Sequence, residues 1–369
     1  MRFIAFILLC SVFVSCQSLK NQSVVRLDYQ EAENISVQNK KIDTWFSQHP
    51  SAECIPQWPD TLKDFEFEEV DDWLAPLDMN GNTYVWSFKP KGKEAFYYNL
   101  ADSFYHMREY EKARTYYLKT LDVNPNNWFA CLYLGDTFFI ADEFDTAAYW
   151  FKKSISINSY NWKNWKYLAD LYISIDEKDL AIDAAIRSIL LNPYNFESWT
   201  AMAYLGRKYN FEIWNPQDSL FMRSFKQDSV FFVLYRQNEA EYKNELYRTS
   251  AQNLYVNLNN FQKTPDSLYS EFFNGHPVHH KMLVGYSFAY EVMVRNWETI
   301  KPKDNPDELY KTDHYSEYIE ATYKMNKLPY HVFWTDILRM YPHAAMYLSQ
   351  KEMDELVHFF WDNYILITF

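Results

Sequence analysis

Residues 94–127 read EAFYYNLADSFYHMREYEKARTYYLKTLDVNPNN, residues 128–161 read WFACLYLGDTFFIADEFDTAAYWFKKSISINSYN, and residues 162–195 read WKNWKYLADLYISIDEKDLAIDAAIRSILLNPYN. Laid over one another, these stretches agree at fixed places. Ala101, Gly135 and Ala169 recur at an interval of 34, as do Ala113, Ala147 and Ala181. Leu100, Leu134 and Leu168 keep the same interval, and so do the aromatics Phe104, Phe138 and Tyr172. Each stretch ends near Pro125, Ser159 or Pro193. The small residues let two helices approach closely, the leucines and aromatic rings fill the space between them, and proline stops the second helix. A single helical pair cannot bury its own apolar face, so a period of this length predicts a stack of hairpins sharing one continuous core.

The pattern resembles the tetratricopeptide repeat. Units are expected at 94–127, 128–161 and 162–195, with a partial unit over 196–210 that opens with Trp199, Met202 and Ala203 and loses the period after Gly206. The fold class is thus expected to be all-α: a solenoid of helical hairpins over 94–210, followed by a helical C-terminal domain over 211–369. The resemblance also implies a concave groove lined by the first helix of each unit. The residues implied there include Tyr98, Asp102 and Tyr105 from the first unit, Phe129, Asp136 and Phe139 from the second, and Lys166 and Asp170 from the third. Members of the family that clamp acidic C-termini need Lys and Asn at corresponding places. This chain has Asp where their Asn would be, so an acidic peptide is not the expected occupant. The aspartates and aromatics suit a segment with basic and apolar side chains, unless the chain's own flanks cover them.

Composition narrows the remaining possibilities. Of 369 residues, 48% are hydrophobic and 20% aromatic, enough for a substantial core. The six glycines form no G-x-G, which leaves a phosphate-cradling loop without material. A net charge of −13 argues against nucleic acid as a partner. No cofactor is expected.

Upstream of the repeats, Met1-Arg2 precedes an apolar run from Phe3 to Val14, too short to span a bilayer and suited to a secretory signal peptide over 1–15. Phe13-Val14-Ser15-Cys16 resembles the lipobox of bacterial lipoproteins. That resemblance implies cleavage before Cys16 and lipid on its thiol, and hence a membrane contact through a lipid anchor. The expected location is the bacterial envelope, on an outer membrane facing the periplasm. Cys54 and Cys131 remain in the mature body; they could pair in an oxidising compartment, but Cys131 occupies a core position of its unit and reads as a buried free thiol. The segment 16–93 is partly irregular, with a helix expected over Leu27–Gln48, an acidic run from Asp60 to Asp72 and a turn at Asn80-Gly81.

Downstream, helices are expected over Asp228–Gln262, after Thr264-Pro265, after Asn305-Pro306, where Glu308 would complete a capping box, and after Ser349-x-x-Glu352, which opens the last helix. His276 and His280 have helical ligand spacing, but Pro277 stands where a zinc protease needs its Glu, so histidines at a helix start are the plainer reading. No metal site and no enzymatic activity are expected. The expected function is that of an envelope-anchored scaffold or adaptor holding a protein or peptide. The other possibility is a glycan-binding lipoprotein of an uptake system, against which Trp165 and Trp199 fall at repeat-core positions.

Overall fold

The computed structural model describes residues 22–26, 65–70, 83–88, 90–193, 195–213, 222–227, 230–236, 283–288, 290–292, 294–295, 314–338 and 344–367. The expected helices over Leu27–Gln48 and after Thr264-Pro265 and Asn305-Pro306, the turn at Asn80-Gly81, and Cys16, Cys54, His276 and His280 lie outside them. The chain forms two compact units: residues 54–214 with 336–369, and residues 1–53 with 215–335. The boundary expected at 211 differs from this division in residues 336–369, which group with the repeats.

The first of these units is built around seven helices: α1 (Gly92–His106), α2 (Tyr110–Val123), α3 (Trp128–Ile140), α4 (Phe144–Ile157), α5 (Trp162–Ser174), α6 (Lys178–Leu191) and α7 (Phe196–Tyr209). They pair as α1·α2, α3·α4 and α5·α6, with α2 against α3, α4 against α5 and α6 against α7. This is the expected hairpin array. Ala101, Ala113, Ala147, Ala169 and Ala181 are fully buried. A Cβ on Gly135 would lie 2.7 Å from Phe151 Cδ1, so the ring of α4 presses directly on the backbone of α3. Arg114 fastens the first hairpin to the second. Its guanidinium donates to the Thr137 carbonyl at 2.7 Å, pairs with Glu143 at 2.9 Å and lies 4.0 Å from the centre of the Phe138 ring.

The repeat period reaches the connections as well. Asn127, Asn161 and Asn195 are the N-caps of α3, α5 and α7, each accepting a backbone N–H from the first turn. Between the two helices of each hairpin, one residue adopts the left-handed conformation: Arg108, Asp142 and Asp176, and 34 residues on, Asn210. After Asn210 the array departs from its pattern. Instead of a second helix, strand β4 (Phe211–Ile213) follows and pairs antiparallel with β7 (Ile365–Ile367). Gly206 permits this, because its absent Cβ would meet the Phe211 carbonyl oxygen at 2.8 Å. The helix leading into β7, α10 (Gln350–Tyr364), starts where expected, with Ser349 and Glu352 forming a capping box, and packs against α6, where Arg187 pairs with Asp354 at 2.8 Å. Ahead of the array, β2 (Phe65–Val70) pairs antiparallel with β3 (Thr83–Phe88).

In the other unit, β1 (Gln22–Arg26), β6 (Val230–Arg236) and β5 (Met222–Gln227) form an antiparallel sheet in the order β1-β6-β5. The helix expected over Asp228–Gln262 is therefore corrected at its start. Val230 to Arg236 reads VFFVLYR, a β-branched and aromatic run with no helical spacing, and it pairs from Gln227↔Val230 to Met222↔Tyr235. Among the described residues the C-terminal region also holds helices, with α8 (His314–Lys324) followed by α9 (Leu328–Val332). Their connection copies that of the repeats. Asn326 is left-handed; its N–H reaches the Tyr323 carbonyl at 2.9 Å, and Lys327 N–H reaches Thr322 at 2.9 Å. Arg108 and Glu109 make the same pair of bonds to Tyr105 and Phe104. His331 then stands where Ala113, Ala147 and Ala181 stand, fully buried and edge-on to Tyr290 and Tyr318.

Candidate functional site

The side chains with an unusual environment lie on the first helices of the hairpins, joined by Tyr117 from the second helix of the first hairpin. From α1, Tyr105 donates its hydroxyl proton to the Asp136 carboxylate on α3. The Tyr105 ring centre is 5.5 Å from that of Tyr133, which is 6.4 Å from Tyr117 of α2, which is 6.0 Å from Tyr98 of α1. Four tyrosine rings thus bridge two hairpins beside two aspartates. Asp136 is 7% exposed. Burial raises its carboxyl pKa above the usual carboxylate range, opposed by the Tyr105 hydrogen bond and by the charge of Lys166. Burial also pushes up the hydroxyls of Tyr98, Tyr105, Tyr117 and Tyr133, and the Asp102 charge adds to this for Tyr98, Tyr117 and Tyr133. Asp102 itself is more accessible and lies 3.5 Å from the exposed His106.

One hairpin further on, the same arrangement is occupied from within. Lys166 of α5 pairs with Asp170 at 2.8 Å and with Glu197 of α7 at 3.6 Å, and its ammonium sits 5.3 Å from the centre of the Tyr167 ring. Burial raises the Asp170 carboxyl pKa, and the Lys166 hydrogen bond opposes that rise. The Lys166 ammonium is held above its usual range, burial opposing and Asp170 and Glu197 outweighing it.

The structure therefore gathers Tyr98, Asp102, Tyr105 and Asp136 into one cluster and places Asp170 next along the wall. Phe129 and Phe139 occupy the opposite ends of α3: Phe129 stacks on buried Trp128 with ring centres 3.7 Å apart, and Phe139 packs on Phe144 at the hairpin connection. Tyr117, Tyr133, Tyr167 and Glu197 join the wall without having been singled out in the sequence. Tyr133 and Tyr167 carry a signal that could have found them, since they recur at the repeat interval beside the aspartates. Tyr117 carries none, because it fills the core place that Phe151 and Ala185 fill in the next two units. Cys131 is buried with a free thiol, and burial pushes its pKa up to about 12. Among the described residues, no group of three His, Cys, Asp or Glu is arranged to hold a metal ion, and no helix is long and apolar enough to cross a membrane.

Residues 95–127 match the family described as Tetratricopeptide repeat. No curated protein is similar enough in sequence to count as a relative. Among solved structures, the chain is similar to the first TPR of Spaghetti (RPAP3), bound there to the HSP90 peptide SRMEEVD, at 17% identity and a TM-score of 0.31 over 31% of this chain and 92% of that one. It is similar to the Arabidopsis OM64 TPR domain at 18% identity and a TM-score of 0.31, over 32% of this chain and 99% of that one. MamA is similar at 17% identity and a TM-score of 0.30, over 63% of this chain and 94% of that one. The match over 95–127 and the hairpin geometry described above give the array the fold of tetratricopeptide repeats.

Proposed function

We propose that the chain is a lipid-anchored envelope protein whose repeat array holds a segment of a protein partner. The observation that supports this most is the wall of tyrosine and carboxylate side chains running over α1, α3 and α5 and ending at Glu197 of α7. Buried carboxylates and partly covered aromatic rings on one side of a rigid array suit a segment with apolar and basic side chains. Trp165 and Trp199 are tied back to the repeats: the indole N–H of Trp165 donates to the Ser159 carbonyl at 2.8 Å, and that of Trp199 to the Pro193 carbonyl at 2.7 Å.

Anchoring through Cys16 rests on the lipobox-like ending of the apolar run. In a bacterial host, Cys16→Ala should abolish incorporation of labelled fatty acid and move the protein from the detergent phase to the aqueous phase, since acyl chains would supply its membrane affinity. Unchanged partition would remove the anchor from the proposal. Binding is tested separately, with the full chain in detergent exposed to a peptide array and a glycan array. Selection of peptides is expected, and selection of glycans alone would favour the uptake-system reading.

A further inference from the structure

We infer that the tyrosine cluster between the first two hairpins is a receptor for a single basic side chain, lysine or arginine, carried by the partner segment. This deepens the proposed function and rests on it. Two independent observations carry it. The first is the Tyr117 hydroxyl. It is fully buried and has no hydrogen-bond partner, and it lies among Tyr98, Tyr105, Tyr133 and the Asp102 charge. A buried polar group without a partner is costly and rare in a folded core, and the Tyr117 oxygen keeps its capacity to accept from a donor that a partner brings. The tyrosine oxygen can accept a hydrogen bond from an ammonium or guanidinium, and neither of the nearby carboxylates, when ionised, can donate one.

The second observation is the array's own repetition. In the third unit, Lys166 places its ammonium over the Tyr167 ring and against Asp170 and Glu197. The residues one and two repeats earlier at that place are Leu132 and Tyr98, so the first two units carry the aspartates and tyrosines without the lysine. What faces Asp102 is the exposed His106, and what faces Asp136 is the Tyr105 hydroxyl together with the more distant charge of Lys166. A basic side chain entering here would place its charged group beside the Tyr105 and Tyr133 rings and between Asp102 and Asp136, reproducing what Lys166 does beside Tyr167 and Asp170. Ring faces and partly buried carboxylates favour a cation over a neutral group of equal size.

The test uses the full chain in detergent and a peptide library in which each position is varied. One position should select lysine or arginine. For the best peptide, replacing that residue by norleucine should weaken binding about tenfold. Asp136→Asn and Tyr117→Phe should each weaken the lysine peptide to a similar degree and leave the norleucine peptide unchanged. Tyr117→Phe also removes the unpartnered hydroxyl, so its melting temperature should stay level or rise, which separates loss of binding from loss of fold. Peptide binding without preference for a basic residue, or equal weakening of both peptides by the variants, would overturn the inference and leave the proposed function standing. If no peptide binds at all, the proposed function falls and takes the inference with it.

Discussion

Gly135 shows how narrowly single residues set this array. It occupies the place that alanine holds in the neighbouring units, yet alanine would not fit, because Phe151 Cδ1 and Cε1 lie 2.7 and 2.8 Å from where the Cβ would be. Gly135→Ala should therefore destabilise the protein by about 1–3 kcal/mol despite the higher helix propensity of alanine, measured by thermal or denaturant unfolding. No loss of stability would mean that the Phe151 ring can step aside. Asp136 raises the opposite question, that of a charge held where it is disfavoured. Its folded-state pKa is raised by burial, so the folded state binds a proton more tightly than the unfolded chain does. The stability this contributes is complete below the ordinary carboxylate pKa and is lost as pH rises through the raised value. Asp136→Asn should then gain stability over the parent at neutral pH, and the gain should shrink as pH falls through the raised value and level off below about 4. Melting curves at several pH values decide this, and a gain independent of pH would contradict the assignment.

At the scale of the element, hairpin and connector are specified by different residues. The helices follow the apolar and small positions, while the connections depend on asparagine caps and left-handed turn residues. Asn161 accepts the Lys163 N–H at 2.8 Å and so starts α5. Asn161→Ala should cost about 1 kcal/mol through loss of that cap, read as a lower midpoint in denaturant with an unchanged slope. Asp142, Asp176 and Asn210 are residue types that adopt positive φ at small cost, which is why the turn recurs at a fixed place. The same turn at Asn326 extends this connector beyond the recognisable repeats: α8 and α9 carry it although their apolar pattern no longer matches the earlier units. The core alanine is replaced there by His331, an imidazole that burial holds down to a pKa of about 3.

For the whole molecule, that histidine has a measurable consequence. A pKa depressed on folding contributes stability that is complete above the unfolded value of about 6.5 and is lost as pH falls toward the folded value. Each pH unit below about 6.5 should cost about 1.4 kcal/mol from this group, so mild acid should lower the unfolding midpoint, and His331→Gln should flatten that slope. An identical slope in the variant would assign the acid sensitivity to other groups. Binding has its own whole-molecule signature. With a net charge of −13, a basic partner would be drawn to the array at a distance, and association should slow as salt is added.

The sequence by itself determined the hairpins. A period of 34 kept by alanines, leucines and aromatics allows only one way of stacking helical pairs, and Ser349 with Glu352 marks the last helix as plainly as a local signal can. The aspartates of the wall were also legible, because they share that period. Three things were decided only in the folded molecule. β4 and β7 join residues 211–213 to 365–367, a pairing too distant in sequence to carry any local pattern. The strand over Val230–Arg236 depends on partners at Gln22–Arg26 and Met222–Gln227, which an apolar run cannot announce. The cluster around Asp136 takes Tyr105 from α1, Tyr117 from α2 and Tyr133 from α3. Periodicity says which residues face a neighbouring helix, but which ring meets which carboxylate, and which hydroxyl is left without a partner, depends on packing between hairpins.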